Sequence, residues 1–314
     1  MAITTLDQLR TKGALAAFQE ELESIPQLWE QYVQNIASVT NKETHVFAGN
    51  VPKPREMLSG RTVASLQDFN FDITNRTYEL TMSIKREWFE DDQTGQINQR
   101  FRQIGEAFGH YKNELFANLL INGDSATLGI PPLNASGGAV FATFYGDSGS
   151  IGSSGTIDNN ISFAAATGTV PTYEEFLNLV SDAKAQMMAF ADSTGRKGHA
   201  LGSLTKLGVI VPPQLEGVAR TAMGAALVAN TSNVRQGMAD VTVMPYLTSA
   251  VEVYTCAVGG STKPFINQER SGLEVIVDMD EARVAERDAV LVMGRERFSL
   301  EYGAPWLSVL TTIG

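Results

Sequence analysis

The side chains able to do chemistry are few and scattered. The three histidines, His45, His110 and His199, are far apart in the chain. They lack the close spacing by which imidazoles on one element share a metal. His110 stands beside Tyr111 in an apolar periodic stretch, where a structural or surface role is the simpler reading. Cys256 is the single cysteine, which excludes an intrachain disulfide and a cysteine-rich zinc site. It reads as a small buried residue of a strand. Asp91 and Asp92 could hold a metal ion or act as the acids of a hydrolase, and Asp278, Asp280 and Glu281 make a second acidic set. A solvated helix start accounts for the first more simply, and a solvated turn for the second. The chain has no Gly-Lys pair to bring backbone amides and a lysine together on a phosphate. It also has no His-Glu-x-x-His and no Gly-x-Ser-x-Gly. Gly146, Gly149, Gly152 and Gly155 recur at every third residue but lack the strand-before, helix-after setting of a dinucleotide loop. The expectation is a protein that is not an enzyme, with no catalytic residue, cofactor or metal.

The composition points the same way. Lys and Arg number 24 and Asp and Glu 35 among 314 residues, for a net charge of −11. Such a surface does not bind nucleic acid tightly, because neutralising phosphates needs a basic one. A hydrophobic fraction of 43% supplies a real core, and the 19% of charged residues is low for a free surface. Copies of the chain covering one another would explain that. No run of eighteen apolar residues occurs, so no membrane helix is expected. Met1 to Asp7 lacks the basic region and apolar core of a signal peptide, which places the chain in a cytoplasm or in something assembled there.

The elements can be read from periodicity. Thr5 and Gln8 have capping-box spacing, and Leu15, Phe18, Leu22 and Ile25 then form a helical stripe, weakened at Gly13 and ended at Pro26. Leu28, Trp29, Tyr32 and Ile36 suggest a second short helix; the two read as an arm that needs a surface to lie on. Residues 46–68 carry Gly49, Pro52, Pro54 and Gly60 and few apolar anchors, as a projecting loop does. Phe69, Phe71 and Ile73 alternate, as do Tyr78, Leu80, Met82 and Ile84, predicting a hairpin turning at Thr74–Thr77. After Glu90-Asp91-Asp92, the residues Ile97, Phe101, Ile104, Phe108, Tyr111 and Leu115 are spaced 4, 3, 4, 3, 4, with Leu119 continuing the seam to Asn122-Gly123. This predicts one long helix, on the order of 35 Å, with a narrow buried seam. Residues 124–170 are rich in small residues and read as a long loop or strand excursion. Thr172 and Glu175 cap a helix bearing Phe176, Val180, Ala183, Met187 and Phe190. Leu207–Val211 is a buried strand, and Pro213 opens a helix to about Val228. Strands are expected at Val241–Met244, Val251–Val258, Leu273–Met279, Ala289–Met293 and Phe298–Tyr302. The fold class is α+β.

Several stretches, in order along nearly the whole chain, resemble the major head protein family of Mu-like bacteriophages. They begin with Phe47-Ala-Gly-Asn-Val-Pro-Lys-Pro-Arg-Glu and Gly60-Arg61, then Ile73-Thr-Asn-Arg-Thr-Tyr-Glu-Leu-Thr-Met-Ser-Ile and Glu90-Asp-Asp-Gln-Thr-Gly. Ser154-Gly-Thr-Ile-Asp-Asn-Asn, Val209-Ile-Val-Pro-Pro-Gln-Leu-Glu-Gly-Val-Ala-Arg and Met244-Pro-Tyr-Leu follow. Lys263-Pro-Phe-Ile-Asn-Gln-Glu-Arg and Arg295–Trp306 complete the set. The chain departs from the family at 144–156, where it is Gly/Ser-rich instead of aromatic-rich.

The resemblance implies the Hong Kong 97-type capsid fold: N-terminal arm at 1–45, extended loop and its hairpin base at 46–90, and peripheral domain with a spine helix at 91–170. An axial domain at 171–264 and a return to the peripheral domain at 265–314 complete it. It implies a structural role, the major capsid subunit that assembles as pentamers and hexamers into an icosahedral shell around double-stranded phage DNA. The expected setting is a virion built in the host bacterial cytoplasm. A scaffold or maturation protease, a portal and a decoration protein are the implied partners, and the enclosed DNA is not tightly bound. Arm and loop should gain order on neighbouring copies. Lys53, Pro54, Arg55, Glu56 and Arg61, in the loop, are the expected inter-subunit contacts, and Lys53 could even join a neighbour's Asn through an isopeptide bond. A same-fold bacterial compartment shell and an unrecognised hydrolase are the alternatives.

Overall fold

A computed structural model of the chain describes residues 3–47, 69–85, 87–88, 95–124, 139–141, 158–166, 168, 170–190, 202–228, 231–278 and 280–314. In chain order these form helix α1 (Ile3–Ser24) and strands β1 (Val33–Ala37), β2 (Lys42–Phe47), β3 (Phe69–Thr74) and β4 (Arg76–Lys85). Helix α2 (Gln96–Ile121), β5 (Asn160–Phe163), helix α3 (Tyr173–Ala189), β6 (Leu207–Val211) and helix α4 (Glu216–Gly224) follow. Next come β7 (Leu227–Val228), β8 (Thr231–Ser232), β9 (Ala239–Val243), β10 (Glu252–Ala257), β11 (Phe265–Asp278), helix α5 (Glu281–Arg287), β12 (Ala289–Tyr302) and β13 (Ser308–Ile313).

The strands make a four-stranded sheet, β1-β11-β12-β4, a five-stranded sheet, β5-β13-β10-β6-β9, and two small ribbons, β2-β3 and β7-β8. Helix α2 is a beam shared by both large sheets. Its first half, with Ile97, Phe101, Ile104 and Phe108, packs with Ile84, Val290 and Val292 of the four-stranded sheet. Its second half, with Phe116, Ala117 and Leu120, packs with Ile210, Tyr254 and Leu310 of the five-stranded sheet. Helices α3 and α4 cover the other face of that sheet, where Phe176, Val180, Ala183 and Met187 meet Val209, Val211, Val253 and Val309. The predicted capping box is present at the start of α3: the Thr172 side chain accepts from the Glu175 amide, and the Glu175 carboxylate accepts from the Thr172 amide.

The seam of α2 follows the sequence only as far as Phe108. Beyond it the buried positions are Gly109, Asn113, Phe116, Ala117 and Leu120, while Tyr111, Leu115 and Leu119 are half-buried. A 4-3-4-3 pattern has a period of 3.5, whereas a straight helix has 3.6, so the buried stripe drifts by about 20° per heptad. On a 3.6-residue period the buried stripe moves one residue along.

Four local expectations are corrected. Thr5 lies inside α1, which starts at Ile3 and continues through Gly13. Leu28–Ile36 is not a helix but a single 3-10 turn, Glu30–Tyr32, leading into β1, which runs parallel to β11. The helix after Pro213 stops at Gly224. Ala289–Met293 and Phe298–Tyr302 belong to one continuous strand. Segment 265–314 divides between the sheets, since β11 and β12 lie in the four-stranded sheet and β13 in the five-stranded one, between β5 and β10.

Candidate assembly interface

The loop segment 48–68, with Lys53, Pro54, Arg55, Glu56 and Arg61, lies outside the described residues, as do Asp91-Asp92, His199 and the glycine series at 146–155. Its two stems are described. Phe47 and Phe69 are register partners at the top of an antiparallel ribbon that runs down to Lys42 and Thr74. The expected hairpin of residues 69–84 is therefore replaced by another pairing. β3 pairs back to β2, and after the single residue Asn75 the chain crosses into β4, which pairs with β12. The ribbon holds together because β2 and β3 flank the loop directly.

The root of this ribbon is a polar network that sequence reasoning missed. The Glu43 carboxylate accepts from the Ser38 hydroxyl (3.0 Å) and from the amides of Val39 (2.8 Å) and Thr40 (2.9 Å). The Thr40 and Val39 amides, then the Ser38 hydroxyl, hold its pKa down to about 2. Asn75 donates to Ser38 Oγ and to the Thr40 carbonyl, each at 2.8 Å. Gln268 of β11, wholly buried, donates to Asn75 Oδ1 (2.8 Å) and to the Ile73 carbonyl (3.2 Å). Its Oε1 is left to accept, so His45 Nε2, 2.7 Å away, carries the proton. Arg270 reaches the Ser38 carbonyl at 3.3 Å and Arg297 reaches Asn41 Oδ1 at 3.0 Å. Higher up, Lys42 and Thr44 meet the Asp72 carboxylate at 2.6 Å each and lower its pKa. The loop thus leaves from a base fixed to the four-stranded sheet. The one signal in the sequence was the cluster of Ser38, Thr40 and Asn41 just before Glu43, a polar turn with an acid placed to accept from it.

Glu43→Ala should open this root while leaving the sheets folded. Amide exchange at Val39 and Thr40 is expected to accelerate, with the global thermal midpoint nearly unchanged. Because folding lowers the Glu43 pKa from 4.5, its contribution is complete above that value and fades as pH falls towards about 2. Unchanged exchange at Val39 and Thr40 in the variant would refute the assignment.

The arm finds its surface on its own chain. A Cβ at Gly105 would stand 2.5 Å from the Phe18 carbonyl oxygen, and one at Gly109 2.8 Å from Ile25 Cδ1. Two glycines four residues apart on α2 let α1 lie that close, and Ala14, Ala17 and Phe18 are buried there. The expectation that the arm is ordered by a neighbour is thus corrected for α1. Arg102 bridges to Glu20 (2.7 Å) and Glu21 (3.4 Å) at the exposed rim, which adds little.

Beneath this crossing, Lys112 of α2 and Glu296 of β12 form an ion pair, with the Lys112 Nζ also 4.9 Å from the Phe298 ring centre. Burial raises the Glu296 pKa and Lys112 opposes the rise. Cys256 is wholly buried in β10, and burial pushes its thiol pKa up, so it is chemically quiet. His110 is exposed and shares a 2.7 Å hydrogen bond with the Tyr246 hydroxyl. Asp278 accepts from the Asp280 amide at 3.3 Å, a turn contact. Among the described residues no three His, Cys, Asp or Glu side chains group as metal ligands, and no helix is long and apolar enough to cross a membrane.

Among the described residues, the loop root and the α1–α2 crossing position surfaces. Known proteins bear on what those surfaces are. A family model described as phage capsid protein matches residues 72–298, and one described as Mu-like prophage major head subunit gpT matches residues 6–128. The major capsid protein of Escherichia phage Mu is 30% identical over 106 residues, 34% of this chain and 35% of that one. That match spans about a third of the relative's length. The procapsid protein of bacteriophage JBD30 is similar in structure at a TM-score of 0.51 and 18% identity, over 98% of this chain and 75% of that one. The capsid of cyanophage P-SCSP1u reaches 0.61 at 8% identity, over 91% and 88%. At such identities the likeness is one of fold, and the fold is the α+β Hong Kong 97-type. Since the phage capsid match runs over more than half of the 314 residues, this chain belongs to the phage capsid protein family, and its N-terminal part carries the Mu-like major head pattern.

Proposed function

We propose that the chain is the major subunit of a phage head, assembling as pentamers and hexamers into a closed shell around double-stranded DNA. The observation that carries this reading is the β2-β3 ribbon. Its root is locked to the four-stranded sheet through Gln268, Asn75 and Glu43, yet among the described residues it pairs with no further strand. A rigidly aimed ribbon that ends on neither large sheet is suited to reach another copy. Lys53, Pro54, Arg55, Glu56 and Arg61 would then make contacts between subunits. The division into arm (1–45), loop and base (46–90), peripheral (91–170, 265–314) and axial (171–264) parts belongs to the same reading. So do a scaffold or maturation protease, a portal and a decoration protein as partners, assembly in the host cytoplasm, and the absence of enzymatic activity. The acidic balance of −11 suits a container whose DNA must enter and leave freely.

Replacement of Asn50–Leu66 by a short Gly/Ser linker tests it. Phe47 and Phe69 already face each other across the ribbon, so closing the gap has a small entropic cost. Circular dichroism and thermal unfolding of the subunit should match the parent, and shell formation, read by light scattering and negative-stain microscopy, should fail. Normal shells from the shortened chain would refute the role of the loop. A parent that remains a 34.0 kDa species at high concentration would refute the shell itself.

A further inference from the structure

Helices α1 and α2 cover one face of the four-stranded sheet; on the other the loop root covers Ile266, Gln268 and Ser299, and nothing among the described residues covers the stretch beyond it, towards Leu291. Along β12 the buried positions Val290, Val292, Glu296 and Phe298 alternate with Leu291, Met293, Arg295 and Arg297, which lie on the uncovered face. On β11 the register puts Ile276 beside Met293, Glu274 beside Arg295 and Ser271 beside Arg297. On β4 it puts Thr81, Glu79 and Thr77 beside the same three residues of β12. Two register shifts in β11, on either side of Ser271, break the flat ladder here. They open a hollow of about 300 Å³ lined by Arg270, Ser271, Glu274, Arg295 and Arg297.

The hollow is charged against the rest of the molecule. Three guanidiniums face two carboxylates, Glu274 and Glu79, in a chain whose net charge is −11. Two are held in place by the loop root, through the Ser38 carbonyl and Asn41 Oδ1. Arg297 Nε is buried without a hydrogen-bond acceptor, and Arg295 is exposed. Beside them Ile276 is 57% exposed, next to half-buried Met293 and Leu291. Arginine, methionine and branched aliphatic side chains match the core of a protein–protein contact, with Lys85 of β4 at its edge. Duplex DNA is a poor occupant, since three arginines next to glutamates and an apolar flank offer no track for a phosphate backbone. An acidic protein surface is a good one: carboxylates pair with guanidiniums two bonds at a time. A second copy of this chain is such a surface.

We infer that the uncovered face of the four-stranded sheet is a contact between copies of this chain, with Arg295 and Arg297 receiving a carboxylate of the neighbour and Ile276 and Met293 its apolar flank. This rests on the reading of the chain as a shell subunit. The full chain, Arg295→Glu and Ile276→Lys would be compared for folding by circular dichroism and thermal unfolding, and for assembly by light scattering and electron microscopy. Binding of a labelled short DNA duplex would be followed by anisotropy at the same salt. Both variants should fold like the parent and need about tenfold or more protein to assemble, because a like-charge or lysine-filled contact costs well over the increment that makes one decade. Assembly of both at the parent's concentration overturns this contact alone. So does unfolding of both, which would make the face part of the subunit's own core. DNA binding by the parent that Arg295→Glu abolishes assigns the hollow to phosphate and also overturns it. A parent that never assembles overturns the shell reading and this contact with it.

Discussion

Ile104→Asp should unfold the subunit, not just weaken its association with others. Ile104 is 1% exposed, within the cluster that joins α1, α2 and the four-stranded sheet. Its cluster neighbours Phe101, Phe108, Val290 and Val292 are all apolar. An isolated buried charge costs several kcal/mol even after its pKa shifts, and a domain's whole stability is about 5–15 kcal/mol. Expression as insoluble protein, or a large fall in the thermal midpoint of the unassembled subunit, is the expected result. A soluble variant with the parent's midpoint would show the first half of α2 to be exposed.

Lys112→Met should have the second-largest effect, because it too leaves a buried carboxylate without a cation. It takes the cation away from Glu296, whose side chain is 5% exposed. Removing one partner of a buried pair leaves the other uncompensated, at about 3–5 kcal/mol near neutral pH. The pH dependence identifies the cause. Burial already raises the Glu296 pKa and Lys112 opposes it, so loss of the lysine raises it further. An acid whose folded pKa lies above its unfolded value binds its proton more tightly when folded. Its penalty is therefore greatest at high pH, fades as pH falls below the folded value, and is gone below the unfolded one. Chemical denaturation of the variant should show a deficit that shrinks on acidification, and adding Glu296→Gln should recover most of it at neutral pH. A deficit that stays constant with pH, or a double variant as weak as the single, would assign the loss to packing of the lysine stem on Phe298.

What could be read from the sequence follows the range of the forces involved. Helix α2 was legible because its apolar stripe is local, and so was α3, whose Thr172–Glu175 box is complete within four residues. The stripe was misplaced beyond Phe108 because there α2 leaves one sheet for the other, a change of partner that periodicity cannot register. Leu28, Tyr32 and Ile36 have helical spacing, but Val33–Ala37 is a strand because β11 is there to receive it. A parallel pair formed across such a length of chain leaves no mark on five residues. The ribbon was assigned to the wrong partner for the same reason: Phe69–Thr74 alternates equally well beside β2 or β4. Gln268 and Asn75 have no sequence signature, since a buried amide is recognisable only by the groups it satisfies. Arg270, Arg295 and Arg297 come together only through the pairing of β11 with β12, which no local pattern encodes.

The strand order has a consequence for how the protein is made. Among the described residues β1 pairs with β11 alone, and β5 with β13 alone. A ribosome that has just finished α3 therefore holds a nascent chain in which both large sheets lack members, and the second remains open until Ile313 has been translated and has cleared the exit tunnel. Edges and apolar faces are exposed until then. At a few to twenty residues per second that interval is many seconds long. Polysomes place such chains side by side, where premature pairing would be most damaging. Chaperone occupancy should accordingly be high on chains whose β1 and β5 have left the ribosome before β11 and β13, a profile that ribosome-selective sequencing of chaperone-bound nascent chains can read.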